Sequence, residues 1–156
     1  MKEPISADQA QNDYGITTNH ECMENGELRF RLSGSDGSSY SRTIATGHGG
    51  WQNSHAHTTC QELYLVESGW MALATPAQSK LSPLLQILHP GCVCVTSIGQ
   101  IHNVYLPGNA VIHTIRFGVQ GLQLRWEPEP SFDAQTKCLS EAEILSLAGG
   151  SITPGC

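Results

Sequence analysis

The chain has 156 residues, of which 39% are hydrophobic, and its net charge is −6. This length and composition predict one folded domain with a sizeable core and little room for a second. The excess of 14 acidic over 8 basic residues speaks against nucleic acid as a partner, since phosphate binding needs clustered Lys and Arg. The sequence has neither a basic amphipathic stretch nor an apolar run of about 20 residues, so we expect no membrane partner.

The N-terminal residues 1–15 are polar, and their composition predicts a flexible tail. They lack the apolar segment of a secretory signal, so we expect a cytoplasmic protein. In that compartment the six cysteines are expected to be reduced thiols rather than a disulfide framework. Cys92 and Cys94 lie two apart on a predicted strand, and we interpret them as small buried side chains.

Short apolar or alternating segments, each bounded by Gly or Pro, predict about eight β-strands. They cover residues 27–32, 40–46, 62–68, 70–75, 84–88, 92–96, 102–106 and 110–117. The glycine-rich residues 47–53 are predicted to form a loop. Strands of this length and spacing predict an all-β barrel or sandwich.

The pattern changes beyond residue 121. The segment from Trp126 to Pro130 is predicted to be extended, because proline restricts itself and the residue before it. Ser140 and Glu143 form a capping box that predicts a short helix ending at residues 149–150. We therefore divide the chain into a tail over residues 1–15, a barrel over 16–126 and a C-terminal extension with a short helix over 127–156.

Four residues of the middle region have the chemistry of a metal site. His55 and His57 lie two apart, so on a strand their imidazoles share one face. A turn after His57 would bring Glu62 beside them on the neighbouring strand. Two imidazoles and one carboxylate suit Fe(II), Mn(II), Ni(II), Cu(II) or Zn(II) and leave positions open for substrate or dioxygen. His102, which follows a glycine turn, can supply a fourth ligand from the opposite side.

These segments reproduce the two sequence motifs of the cupin family. The first motif, Gly-x5-His-x-His-x4-Glu-x6-Gly, runs from Gly49 to Gly69. The second, Gly-x5-Pro-x-Gly-x2-His-x3-Asn, starts at Gly91, with Ser97 in place of the proline and Leu106 in place of the asparagine. Neither replaced residue is a metal ligand in the family. Over about half of its length, the chain resembles a small single-domain cupin.

The resemblance implies a cupin-type double-stranded β-helix, a jelly-roll barrel, to which the capping box adds a short C-terminal helix. It also implies that His55, His57, Glu62 and His102 hold one divalent metal ion in the barrel mouth, with Fe²⁺, Mn²⁺, Ni²⁺, Cu²⁺ and Zn²⁺ as candidates. A homodimer and a small-molecule substrate are further expectations from the resemblance.

Glu62, Tyr64 and His113 are the three candidates for catalytic roles, with Glu62 a candidate proton carrier as well as a ligand. Alternation from Glu62 turns Tyr64 toward the ligands, where its hydroxyl would either meet the substrate or belong to an ordinary barrel aromatic. His113 is the first candidate for an acid–base residue outside the metal shell, although a lone His among apolar neighbours is also typical of a core. The opposite register would place Arg116 inside instead. Few basic residues lie near the ligands in the sequence, which gives little reason to expect a phosphorylated substrate.

Three functions are compatible with these motifs. We predict first a metal-dependent dioxygenase acting on a small organic molecule. The alternatives are an isomerase, epimerase or lyase that uses the metal as a Lewis acid, and a non-enzymatic cupin that binds a small ligand. This order of preference among the three functions rests on analogy with other proteins of the same fold. One fold can carry many activities.

Overall fold

The computed structural model describes residues 3–77, 82–118 and 125–149. Within these residues the chain forms three α-helices and twelve β-strands. In chain order these elements are α1 (Ala7–Tyr14), β1 (Ile16–Cys22), β2 (Leu28–Gly34), β3 (Ser39–Ile44), β4 (Gly50–Trp51), β5 (His55–His57), β6 (Cys60–Ser68), β7 (Met71–Thr75), β8 (Leu84–Leu88), β9 (Val93–Val95), β10 (Asn103–Leu106), β11 (Val111–Gly118), β12 (Trp126–Pro128), α2 (Pro130–Thr136) and α3 (Glu141–Ala148).

The strands form two principal antiparallel sheets. One sheet has six strands in the order β1-β2-β3-β11-β6-β9, and the other has four in the order β4-β10-β7-β8. The short strands β5 and β12 pair with each other, and a bridge between His55 and His102 joins β5 to the chain just before β10. The predicted all-β architecture is confirmed.

The principal core lies between the two sheets. On β6, alternate residues are buried, as expected of a strand with one face toward a core. Residues of both sheets meet in one apolar cluster, so the sheets pack face to face. Its buried members are Ala45, Tyr64, Val66, Met71, Leu73, Leu88, Val104, Leu106, Ala110 and Ile112.

A second core lies on the outer face of the four-stranded sheet. Helices α2 and α3 cover this face with Phe132, Ile144 and Ala148. Strand β7 is therefore buried on both sides: Met71 and Leu73 face the first core, and Ala72 and Ala74 face the helices. The C-terminal extension thus completes the burial of this sheet.

The N-terminal region differs from the prediction of a flexible tail. Residues Ala7–Tyr14 form helix α1, whose first turn is capped by the Ser6 hydroxyl. Gly15 ends the helix with φ 65°, a left-handed conformation that favours glycine. A helix with no buried residue leaves no apolar pattern in the sequence, which explains why composition alone suggested a tail.

Two strands and one helix were also absent from the predictions. Strand β1 is polar and exposed along most of its length, and β4 lies inside the predicted glycine-rich loop. Helix α2 begins at Pro130, where a missing backbone N–H is harmless. Helix α3 and both halves of its capping box are confirmed. None of the helices formed by the described residues is long and apolar enough to cross a membrane.

The cysteines follow the prediction only in part. Cys92 and Cys94 are partly buried against the principal core between the two sheets, which we also call the inner core. Cys92 is disulfide-bonded, so the expectation of reduced thiols is wrong there, and Cys156 lies outside the described residues. Compartment statistics do not consider which sulfurs a fold brings within bonding distance. Free thiols are found at Cys22, Cys60, Cys94 and Cys138.

Candidate metal centre

The four predicted metal ligands converge on one point. His55 and His57 lie on β5, Glu62 lies on β6, and His102 immediately precedes β10. His55 Nε2 is 3.5 Å from Glu62 Oε2, and His57 Nε2 is 3.2 Å from Glu62 Oε1. His102 Nε2 is 3.0 Å from Glu62 Oε2. All four side chains are buried.

Three of the four residues form a compact group of donor atoms. One donor atom each from His55, His57 and Glu62 lie within 4.8 Å of one another, a spacing that can hold a metal ion. His102 adjoins this group, because its ring centroid is 4.5 Å from that of His55. The chain thus supports a divalent metal site made of two imidazoles and a carboxylate, with a third imidazole beside it.

Backbone carbonyls orient two of the imidazoles. His55 Nδ1 is 2.8 Å from the carbonyl oxygen of Asn53, and His102 Nδ1 is 2.9 Å from that of Gln100. A carbonyl only accepts hydrogen bonds, so each Nδ1 carries the proton and donates it. In the neutral rings Nε2 then presents a lone pair to the centre, which is the arrangement of a metal-binding histidine.

The donor atoms fit a cation. The Nε2 atoms of His55 and His57 are buried, and neither makes a hydrogen bond with any described residue. Their lone pairs approach the oxygens of Glu62 without the geometry of a hydrogen bond, an arrangement that costs free energy unless a positive charge lies between them. Such a donor set is typical of Fe(II), Mn(II), Ni(II), Cu(II) and Zn(II) sites.

Glu62 remains ionised despite its burial. Burial alone would raise its pKa, whereas hydrogen bonds from His102, His55 and His57, when their Nε2 atoms carry a proton, and the guanidinium of Arg116 lower the pKa below its ordinary value. Arg116 lowers the pKa of Glu62 whatever the protonation state of the imidazoles, because its Nε donates to Glu62 Oε1 over 2.7 Å. The centre therefore has one permanent negative charge for a metal.

Tyr64 contacts the same centre from β6. Its hydroxyl donates to Glu62 Oε2 over 2.7 Å and lies 3.1 Å from His102 Nε2. Burial and the adjacent carboxylate raise the pKa of Tyr64 well above its ordinary value, so the phenol keeps its proton. The predicted orientation of Tyr64 toward the ligands is confirmed.

His113 lies on the opposite face of the six-stranded sheet, so the structure does not bring it to the centre. Its Nδ1 is 2.8 Å from the Tyr40 hydroxyl, and its Nε2 is 2.8 Å from Glu67 Oε2. The alternative register is the observed one, since Arg116 pairs across the strands with Glu62 and shares its inward face. Apolar neighbours misled the prediction because the outer face of β11 is also apolar, with Ile115 and Phe117 exposed.

A cavity of about 770 Å³ opens beside the ligands. Of the three arginines among its lining residues, only Arg116 was considered from the sequence, as the alternative register of β11, and Arg29 and Arg31 were not expected near the ligands. Strand register brings them there from distant parts of the chain, so only the alternation of Arg29 and Arg31 on β2 could have suggested an inward basic face. The lining includes Glu24, Arg29, Arg31, Ser39, Ser41, Thr43, Trp51, Gln52, His55, Glu62, Tyr64, Thr114, Arg116 and Trp126.

No protein-family profile matches the chain, and no curated protein sequence matches it. Solved structures do match. A cupin superfamily protein from Desulfitobacterium hafniense is 21% identical, with 64% of this chain and 84% of that chain aligned at a TM-score of 0.52. The chain has the cupin fold.

Other cupin structures align to a similar extent. An RmlC-like cupin from Shewanella frigidimarina aligns over 67% of this chain and 86% of its own, with 14% identity and a TM-score of 0.53. A mutant of Bacillus subtilis oxalate decarboxylase aligns over 85% of this chain and 34% of its own, with 12% identity and a TM-score of 0.57. At these identities the likeness concerns the cupin fold alone.

The two departures from the cupin motifs are each accommodated by local contacts. Where the motif has proline, the backbone N–H of Ser97 donates to the Gln100 side chain over 2.8 Å, so a side chain closes the turn instead. Where the motif has asparagine, Leu106 is fully buried in the inner core. Neither departure disturbs the donor atoms of the cupin centre.

Proposed function

We propose that the protein is a metal-dependent enzyme that acts on a small organic molecule, and that its reaction is a dioxygenation. The observation that carries the proposal is the group of His55, His57 and Glu62 at the edge of the cavity. Two imidazoles and one carboxylate with open positions are typical of non-haem Fe(II) oxygenases. His102 would be a fourth ligand on the side away from the cavity-lining residues.

The residues around the centre have distinct tasks. A divalent ion held there would supply either electron transfer in a reaction with dioxygen or polarisation of a substrate carbonyl. The carbonyls of Asn53 and Gln100 fix the ring orientation of His55 and His102, so that Nε2 stays aimed at the centre. Arg116 and Tyr64 each bond one oxygen of Glu62 and hold the carboxylate in place.

A Lewis-acid isomerase, epimerase or lyase is the second candidate. Tyr64 favours it, because its phenol is protonated, borders the cavity and lies within hydrogen-bond distance of the centre. Such a group can hand a proton to a substrate carbanion or enolate and recover it afterwards. In the dioxygenase the same hydroxyl would only position Glu62 and bond the substrate.

Assays on the protein loaded with each candidate metal separate these functions. Oxygen consumption with an iron-, manganese-, nickel- or copper-loaded protein and a panel of enols, phenols and small acids supports the dioxygenase. Deuterium incorporation from heavy water without oxygen consumption supports the Lewis-acid enzyme and contradicts the dioxygenase. Recovery of every bound compound unchanged, with neither signal, contradicts both and supports a binding protein.

A homodimer remains a proposal, and the outer face of the six-stranded sheet supports it. This face exposes a group of large apolar side chains, an arrangement typical of an interaction surface. Light scattering should give twice the mass of one chain, and a monomer would contradict the dimer. The exposed side chains are Leu28, Phe30, Leu32, Tyr40, Val93, Val95, Ile115 and Phe117.

A further inference from the structure

The cavity wall on the six-stranded sheet is polar and basic. Register places Arg31, Ser41, Thr114 and Tyr64 in one cross-strand row along the inner face. Arg116 lies in the adjoining row, directly opposite Glu62. All of these residues line the cavity, so a molecule that reaches the candidate metal centre also meets the arginines.

Arg31 and Arg116 have more unused donors than Arg29. Arg29 directs both Nε and Nη2 to one oxygen of Glu27, at 3.1 and 2.6 Å. By contrast, Arg31 uses only Nη1, in an ion pair with Glu21, and Arg116 uses only Nε. No other hydrogen bond joins these two guanidinium groups to the described residues. Each can therefore still offer N–H groups to a ligand.

Charge and an unpaired hydroxyl point to an anion at this wall. Arg31 and Arg116 both line the cavity, where burial and the charge of Arg116 lower the pKa of Arg31. If Glu62 also holds a divalent metal ion, its single negative charge is shared between the ion and Arg116, so Arg116 lacks a full counter-charge. Ser41 lies directly opposite Arg31 on β3, the strand between those of Arg31 and Arg116, and its hydroxyl is buried and unpaired among the described residues.

We propose that the cavity binds the carboxylate of a small organic acid between Arg31 and Arg116, with the Ser41 hydroxyl as a further donor. This inference rests on the proposed function and names its substrate class. Guanidinium groups match the planar geometry of a carboxylate. A singly charged group fits better than a phosphate dianion, because Glu24 also lines the cavity and Glu21 already pairs with Arg31.

Two tryptophans among the lining residues suit the body of such an acid. Trp126 is 48% exposed and lies against the His55 ring, with centroids 5.6 Å apart. Trp51 also lines the cavity. Indole surfaces of this kind pack against flat or apolar groups. An acid held by its carboxylate would thus have its body beside the metal ligands.

Calorimetric titration of the metal-loaded full chain tests the proposal. The probes are acetate, benzoate and succinate, each paired with its neutral amide, and inorganic phosphate. We expect at least one acid to bind about 10-fold or more tightly than its amide, as for a charge-assisted bond. Arg31→Gln should weaken that acid about 10-fold and Ser41→Ala about 3-fold, each without changing the bound metal.

Arg42→Gln is the matched control, because Arg42 lies on the outer face of the same sheet and pairs with Glu67. It should leave acid binding unchanged. If Arg31→Gln does not fold, Ser41→Ala and Arg31→Lys supply the comparison. Equal binding of every acid and its amide, no effect of these variants, or tighter binding of phosphate than of every acid would overturn the proposal.

Titrations repeated on the metal-free protein, together with the activity assays, separate this inference from the proposed function. Acid binding that depends on Arg31 in a protein that holds no metal would support the anion site and contradict the enzyme. A metal-dependent reaction on neutral substrates, with no preference for acids, would support the enzyme and contradict the anion site.

Discussion

The two ends of the barrel interior use the same strands but hold opposite kinds of side chain. Along β6 the inward residues change from Glu62 through Tyr64 to Val66. Along β11 they change from Arg116 through Thr114 to Ile112. The segment from His102 to Leu106 shows the same gradient. We call these the polar end and the apolar end.

The apolar end chiefly stabilises the fold, and the polar end holds the candidate metal ligands. The apolar end buries hydrocarbon in dense packing, which is the main source of folding free energy. The polar end buries charged and lone-pair groups, whose burial costs free energy unless each is paired. Substitutions at the two ends should therefore separate metal binding from folding.

The largest effect is expected for His57→Ala at the polar end. Metal affinity should fall by more than about 100-fold, since removal of an outer-shell partner alone typically costs 10- to 100-fold. The metal-free protein should keep its fold, because both ring nitrogens of His57 are buried without a hydrogen-bond partner among the described residues. Metal analysis and circular dichroism measure both effects. His113→Ala is the control and should bind metal normally, whereas loss of folding in His57→Ala would mean a structural site.

Leu106→Ala should affect the apolar end alone. Leu106 is fully buried in the inner core, so a cavity should lower the free energy of unfolding by about 2–5 kcal/mol. The variant should still bind metal with the wild-type stoichiometry under conditions where it is folded. Urea unfolding gives the stability, and Leu84→Ala, at a 60% exposed position, should change it by less than about 0.5 kcal/mol. A loss of metal in folded Leu106→Ala would remove the distinction between the two ends.

Tyr64→Phe tests the boundary between the ends. The ring belongs to the apolar cluster, while the hydroxyl bonds Glu62. We expect metal affinity to fall about 10- to 100-fold and stability by about 1–2 kcal/mol. Competition with a chelator measures the affinity. Tyr105→Phe, which removes a bond to Glu141 outside the barrel, should leave the affinity unchanged; equal losses in both variants would contradict this role of Tyr64.

The smallest effect is expected for Asp133, which links helix α2 to the loop before β5 by accepting a hydrogen bond from the Ser54 N–H. Burial would raise the pKa of Asp133, but the Ser54 N–H and Lys137 lower it below its ordinary value. Its carboxylate therefore stabilises the fold above about pH 4, and this contribution is lost as the pH falls toward the lower value of the folded state. Between pH 6 and pH 3 the wild type should lose slightly more stability than Asp133→Asn, by less than about 1 kcal/mol. Identical pH profiles in urea unfolding would contradict this.

Local patterns predicted much of the candidate site. Residues two apart on one strand share a face, so the common orientation of His55 and His57, and that of Glu62 and Tyr64, followed from alternation. The spacing from His55 to Glu62 likewise needed only one turn. These features depend on short segments, and the sequence contains all the information that they require.

Features that depend on pairing between distant strands were not predicted. The orientation of β11 could not be chosen, because both of its faces have apolar residues, and His113 was assigned to the wrong side. The basic side of the cavity was not predicted for the same reason. Arg31 on β2 and Arg116 on β11 are brought together only because both strands pair with β3. Short helices such as α1 lack enough periodicity to be recognised.

Metal content is the most direct test of the central claim that three imidazoles and Glu62 form one metal centre. Protein stripped with a chelator, titrated with Fe²⁺, Mn²⁺, Ni²⁺, Cu²⁺ and Zn²⁺ in turn, and freed of excess ion should retain one ion per chain for at least one of these metals. Retention should disappear in His57→Ala and persist in His113→Ala. A wild-type protein that retains none of the five ions, or retains them equally in His57→Ala, would contradict the account.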